Sequence, residues 1–155
     1  MRTLAHKPLR ADVAAGIGAG VIGLFLIVAI WTNLVFPAPL ALGGGSILTG
    51  NSVSLTEHEW GFNQLAKGGP TICAVNGQNV TITLQNTGVN LHGFQIINAA
   101  GAVLGGLNKT DLLQPGEVRQ IKINLNQLGD FYYICPVSGH RQKGMIGQFL
   151  CHSGC

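Results

Sequence analysis

The sequence predicts an all-β Greek-key sandwich or barrel preceded by one transmembrane α-helix. Three observations predict it. A long uncharged apolar run lies near the N-terminus, short strand-like runs follow it, and Gly, Asn and Pro punctuate those runs. The chain has 155 residues, the length of one ordinary folded unit besides a membrane segment. With 46% hydrophobic and 10% charged residues it is too apolar and too weakly charged for a disordered chain.

The first element is residues 13–36, which contain no ionisable side chain over 24 positions. At about 1.5 Å per residue such a helix reaches about 36 Å, against a hydrocarbon core of about 30 Å. A cleaved signal peptide has a shorter apolar core of about 7–15 residues and small residues at its cut, and Pro37-Ala-Pro-Leu-Ala41 is a poor cleavage site. Trp31 falls near the far end, where interfacial aromatics are favoured. Arg2, Lys7 and Arg10 precede the run, so residues 1–12 are expected to form a cytoplasmic tail and the rest to lie outside the membrane. The pairs Gly16/Gly20 and Ala19/Gly23 have a small-x-x-x-small spacing. It suits close helix packing in a larger complex, and equally the ordinary tolerance of Gly in membrane helices.

Residues 37–50, with Pro37-Ala-Pro and Gly43-Gly-Gly-Ser46, read as a linker, and residues 51–155 as the outer domain. From Pro37 onward six Lys/Arg stand against five Asp/Glu, so the domain is nearly neutral. A nucleic-acid surface would need clustered cations on one face, which excludes that class of partner. Helical periodicity is absent here. Runs rich in Val, Ile, Thr, Phe and Tyr predict strands at 52–57, 71–75, 79–85, 94–98, 118–125, 129–135 and 144–150. Val80-Thr-Ile-Thr-Leu84 and Ile121-Lys-Ile-Asn-Leu125 alternate cleanly, so each has one buried face. Asn76-Gly77 and Pro115-Gly116 mark tight turns. Several short strands with regular turn signals suggest a Greek-key sandwich or barrel.

The chemistry lies near the C-terminus, in Phe131-Tyr-Tyr-Ile-Cys-Pro-Val-Ser-Gly-His-Arg-Gln-Lys-Gly-Met-Ile-Gly147. Cys135, His140 and Met145 are spaced C-x4-H-x4-M on the loop between two predicted strands, and Asn90-Leu-His-Gly-Phe94 adds His92 at the mouth of another. A thiolate and two imidazoles in a plane with a weak axial thioether suit both Cu(I) and Cu(II). Little need then move when an electron arrives or leaves. Taken singly, a Cys at a strand end is usually a small buried hydrophobe, a His a surface or core side chain, and a Met plain core. The combination of residue type, spacing and position after an aromatic strand is what favours a metal centre.

On these motifs the outer domain resembles the cupredoxins, the type 1 blue-copper proteins. Phe131–Gly147 is especially similar to the rusticyanin and sulfocyanin type, which share the Tyr-Tyr-x-Cys strand, the Gly-His pair and the Gly-Met. Pro70-Thr-Ile-Cys-Ala-Val-Asn-Gly-Gln-Asn-Val80 resembles the early strands of that fold, and the likeness runs over residues 51–150. It implies one type 1 copper ion on His92, Cys135, His140 and Met145. It also implies single-electron transfer with redox partners such as a cytochrome, a quinol-oxidising complex or a terminal oxidase, in a respiratory or photosynthetic chain. Electrons would pass through the edge of His140, framed by Pro136, Val137 and Gly139, with Arg141 and Lys143 beside it. These two charges would steer an acidic partner or are simply solvated. Two departures stand out. Gly93 occupies the place where many relatives carry an Asn or Ser that ties the ligand loops together. Gly139 stands where the dinuclear centre of cytochrome oxidase subunit II needs a second Cys, which excludes that centre.

Cys73, Cys151 and Cys155 remain, enough for one internal disulfide and one thiol. The resemblance makes the strand of Cys73 and the last strand neighbours, implying a bond from Cys73 to Cys151 or Cys155. A second metal site in Cys151-His-Ser-Gly-Cys155 has only three donors at a chain end, and it lacks the C-x-x-C-H of a haem attachment. His58 shows no partner pattern and reads as structural or exposed, and His6 falls in the tail. The expected role is a tethered electron carrier. The alternatives are an accessory subunit docked by its helix in a larger membrane redox complex, and copper storage, which usually exposes several soft ligands. An enzyme fits least, because a type 1 site leaves no open coordination position.

Overall fold

Alternation along the strands decides which face each one buries. A computed structural model describes residues 45–155 of the chain. It contains β1 (Ile47–Thr49), β2 (Ser52–His58), β3 (Gly61–Phe62), β4 (Thr71–Val75), β5 (Asn79–Asn86) and β6 (Gln95–Ile97). These are followed by β7 (Val103–Gly106), β8 (Val118–Asn124), β9 (Gly129–Ile134), a short helix α1 (His140–Lys143) and β10 (Ile146–His152). The expected tail (1–12), membrane helix (13–36) and most of the linker (37–50) lie outside the described residues. Among those described, no helix is long and apolar enough to cross a membrane.

The strands form two mixed sheets packed face to face. One has the order β1-β4-β10-β9-β6-β7 and the other β3-β2-β5-β8. On β5, Val80, Ile82 and Leu84 point inward while the residues between them are more exposed. Val53 and Leu55 of β2 and Ile123 of β8 do the same on the neighbouring strands. Opposite them lie Ile72, Phe131, Tyr133 and Phe149 from the larger sheet. Burying one such side chain contributes about 1.5–3 kcal/mol, so this shared core is the main force holding the sheets together.

Tyr133 is the centre of that core. It is fully buried, lies 4.9 Å from the Phe62 ring and 5.3 Å from the Phe94 ring, and donates its hydroxyl to the Pro70 carbonyl at 2.6 Å. Its ring occupies the space a side chain would need at Gly147, where an added Cβ would come within 2.1 Å of it. Glycine at 147 on β10 is thus the counterpart of tyrosine on β9, two strands paired at that point.

All seven expected strands are present, with ends shifted by up to two residues. The strand expected at 144–150 begins only at Ile146, because Gly144 and Met145 close the turn after α1. Three strands and the helix were not anticipated. β1 falls inside the expected linker and pairs in parallel with β4, so the domain begins before residue 51. β3 has only two residues, too few for a period to register. β7 contains Gly105-Gly106, residues that strand propensity disfavours. Gly106 has φ +114°, and a Cβ there would meet the Phe94 carbonyl oxygen at 2.2 Å, so a poor strand former is required in that strand.

The disulfide joins Cys73 to Cys155. Register explains the choice. Cys73 pairs with Leu150, while Cys151 pairs with Ala74 and therefore points to the other face of the sheet. Cys151 stays a buried free thiol, and the tail holds no three-donor site, since Cys155 is bonded and His152 pairs with Asp130 at 2.8 Å.

Candidate metal centre

Three of the four expected ligands converge. His92, Cys135 and His140 are all buried and offer ligand atoms within 4.8 Å of one another. The Cys135 Sγ lies 3.5 Å from His140 Nδ1 and 3.8 Å from His92 Nδ1. Among the described residues this is the one such group of His, Cys, Asp and Glu.

Each side chain is fixed by its backbone. Cys135 follows the end of β9, and its N–H donates to the Met145 carbonyl at 3.2 Å. His140 opens α1 after Gly139, whose φ of +81° turns the chain sharply enough to start a helix there. The Met145 N–H donates to the His140 carbonyl at 3.0 Å, closing the loop on itself. His92 is held by a two-way bridge to Leu113, with bonds of 3.2 and 2.8 Å. Asn86, fully buried, braces this loop by donating to the carbonyls of Asn90 and Leu113. Met145 is wholly buried and bonded through its backbone to both Cys135 and His140, so it sits at the closing point of the ligand loop.

The electrostatics favour a bound cation. Burial pushes the Cys135 thiol up to about 11, against the pull of backbone N–H groups at Val137 and Gly93. Burial also pushes both histidines down, leaving neutral imidazoles with lone pairs to give. A metal ion supplies the positive charge that the buried thiolate lacks. Bonds of about 2.0 Å to nitrogen and about 2.3 Å to sulfur, spread at 110–120°, separate the two donors by about 3.5–3.7 Å. The observed 3.5 and 3.8 Å fit such a common point. Thiolate with two imidazoles is donor chemistry that suits copper, and also zinc, and Met145 closes the same buried loop.

Gly93 explains the missing side-chain tie. A Cβ there would approach Leu112 at 2.9 Å and Pro136 at 3.4 Å, so the two ligand loops touch directly. The Gly93 backbone also acts on the sulfur, pulling the Cys135 thiol down against its burial.

The His58 ring bonds only to the Glu59 carbonyl, at 3.0 Å, but its neighbours Glu59 and Trp60 line the centre. Glu59 Oε1 lies 3.4 Å from His92 Nε2. Burial pushes the Glu59 carboxyl up, but N–H bonds from Asn90 and Val89 outweigh it and bring it down to about 2, so it is ionised. Trp60 meets the His140 ring edge-on at 5.1 Å, and Lys143 Nζ sits 3.7 Å above the Trp60 ring. His140 is consequently 7% exposed, a covered edge rather than a bare one. Nothing in the spacing of Glu57-His-Glu59-Trp60 signals this, because contact with the ligands is made across the fold. Beside the centre, Lys109, Cys135, Pro136, Val137, Ser138 and Arg141 line a cavity of about 210 Å³ that opens to solvent.

Comparison with known proteins bears on the fold and the family. The sequence matches the family model for multicopper oxidases over residues 50–154. No curated protein matches it in sequence. The fold is cupredoxin-like. It is similar to reduced auracyanin from the photosynthetic bacterium Roseiflexus castenholzii, with 16% identity and a TM-score of 0.55 over 66% of this chain and 98% of that one. It is similar to rusticyanin from Thiobacillus ferrooxidans, with 20% identity and a TM-score of 0.54 over 70% of this chain and 84% of that one. It also resembles a laccase-like multicopper oxidase from Ochrobactrum sp., with 17% identity and a TM-score of 0.57 over 75% of this chain. The likeness spans only 30% of that oxidase's length. At such identities these likenesses bear on the fold alone.

Proposed function

We propose that this chain, which belongs to the multicopper oxidase family, holds a single type 1 copper ion on His92, Cys135, His140 and Met145 and carries one electron at a time between redox partners. The observation that carries this reading is the pair of imidazole Nδ1 atoms 3.5 and 3.8 Å from one buried thiol. When bound there, copper supplies the exchange between its two oxidation states.

The chain's own residues do the rest. Cys135, His140 and Met145 share one short loop locked by two backbone bonds, so the donors hold their places in both states. Burial of all four side chains keeps water from adding as a further ligand. Electrons enter or leave on the His140 side, where Trp60 covers the imidazole. Lys143 lies over Trp60 at that end and Lys109 and Arg141 line the cavity beside Cys135, whereas Asp111 and Glu117 are taken up by Arg119, Asp130 by His152, and Glu59 by the N–H groups of Val89 and Asn90. A redox partner with an acidic face, such as a cytochrome, a quinol-oxidising complex or a terminal oxidase, suits this surface.

Electron transfer is favoured over oxidase turnover by arithmetic. Reduction of dioxygen to water takes four electrons, and the described residues bring together one set of His and Cys donors that could hold a metal ion, which stores one. We place the domain on the outer side of a prokaryotic cell membrane, tethered by residues 13–36 with the N-terminus inside. The uncharged run, the preceding Arg2, Lys7 and Arg10, and a disulfide suited to an oxidising compartment support this. The same helix leaves room for the second reading, an accessory subunit docked in a larger complex.

Titration of the copper-free protein with Cu(II) tests the role. The expected result is an intense blue thiolate-to-copper band that saturates at one copper per chain. One electron per chain should bleach it, and a one-electron oxidant should restore it. Sustained dioxygen consumption in the presence of a reductant would instead assign an oxidase.

A further inference from the structure

We propose that Glu59 is the positioning residue for His92. Its carboxylate accepts the Nε2–H of the imidazole and so presents the Nδ1 lone pair to the metal. The inference rests on the copper reading above but concerns a residue that is not a ligand.

The carboxylate is itself held in place. Glu59 Oε1 accepts from the backbone N–H of Val89 at 2.8 Å, the backbone N–H of Asn90 at 2.9 Å and the Asn90 side chain at 3.0 Å. These donors belong to the loop that leads into His92, so the oxygen cannot swing away without undoing that loop. His92 Nε2 stands 3.4 Å from the same oxygen, long for a hydrogen bond and within reach of one once a metal draws on the ring. The ring has two nitrogens and one proton when neutral. A fixed carboxylate at Nε2 claims that proton, and Nδ1 is left bare, facing Cys135 at 3.8 Å. A carboxylate behind a ligating histidine fixes its tautomer and orientation and raises its basicity.

Gly88 keeps this contact open. A Cβ there would lie 2.7 Å from both Glu59 carboxylate oxygens and 2.8 Å from His92 Nε2. A side chain at 88 would thus stand where carboxylate and imidazole meet. A loop cap alone does not require that gap, since the three N–H bonds to Glu59 come from Val89 and Asn90.

The test uses the full chain and three variants. In the copper-free protein, nitrogen-15 NMR of His92 should show the Nε2–H tautomer. Glu59→Ala should give mixed tautomers, and Glu59→Gln, whose amide oxygen still accepts, should largely retain Nε2–H. In the copper-loaded protein, Glu59→Ala and Gly88→Ala should release copper about 10–100-fold faster and alter the electron paramagnetic resonance spectrum, with Glu59→Gln restoring most of both. Wild-type His92 in the Nδ1–H form, or variants that lower only thermal stability, would overturn the proposal. A wild-type chain that shows the Nε2–H tautomer but never turns blue would count against the copper reading and leave the role of Glu59 standing.

Discussion

Cys135→Ser is expected to give a folded, colourless protein that no longer exchanges electrons. The side chain is 1% exposed, and serine is nearly its size, so the core loses little volume. The serine hydroxyl would keep the two imidazole nitrogens as neighbours, at 3.5 and 3.8 Å from the present sulfur, so the buried polar atom has partners at hand. What disappears is the soft, polarisable anion. An alcohol does not ionise at neutral pH and offers copper no sulfur charge-transfer band. Copper affinity should fall by more than about 100-fold, since even losing an outer partner of a ligand costs about 10–100-fold. Visible absorption and equilibrium dialysis check this, with circular dichroism to confirm the fold. Cys151→Ser is the control. That thiol faces the same core but lies at the far end of β10 from the ligand loop, near Asn76 and the Leu125 carbonyl, and its loss should leave the colour intact. A blue Cys135→Ser protein would rule out the assigned thiolate.

Glu57 should lower the stability of the copper-free domain as pH rises from about 5 to about 8, against the opposite pull of His92 and His140, whose burial makes folding easier as pH rises towards the ordinary histidine range. Glu57 is fully buried on β2, in register with Asn86 of β5, and neither carboxyl oxygen has a hydrogen-bond partner. Burial pushes its carboxyl up to about 8 from an ordinary 4.5. The folded chain therefore keeps a proton that the unfolded chain releases between those values. Below about 4.5 both states are protonated and no penalty exists. Through the window the unfolded state binds fewer protons, so unfolding becomes easier by roughly 1.4 kcal/mol per pH unit at most. Above about 8 both are ionised and the whole penalty, on the order of a few kcal/mol, is present. Glu57→Gln should remove most of this slope and raise the high-pH melting temperature. Denaturant titrations across the range check it, and an unchanged slope in the variant would assign the effect elsewhere.

How much the sequence disclosed follows from how local each signal is. Val80-Thr-Ile-Thr-Leu84 announces a strand because its period is written within five residues. Cys135, His140 and Met145 announce a metal loop because three ligands sit within eleven residues of one another, between two strands. His92 was legible through the resemblance and because His92-Gly93 precedes an apolar strand. Glu59, Trp60 and Gly88 were not legible, because their importance arises when β2 lies beside β5 and carries the β2–β3 turn over the two imidazoles. Cys155 over Cys151 as the partner of Cys73 likewise needed the register of β4 with β10, which no spacing records. The covered His140 edge belongs to the same group. A side chain from residue 60 hides one from residue 140, and periodicity does not reach across eighty positions.

Copper K-edge X-ray absorption on the chain loaded with one equivalent of copper tests the central claim most directly. The account predicts one short copper–sulfur distance and two copper–nitrogen distances from imidazole, with no metal neighbour. A first shell of nitrogen and oxygen without sulfur, or a second copper within scattering range, would contradict it.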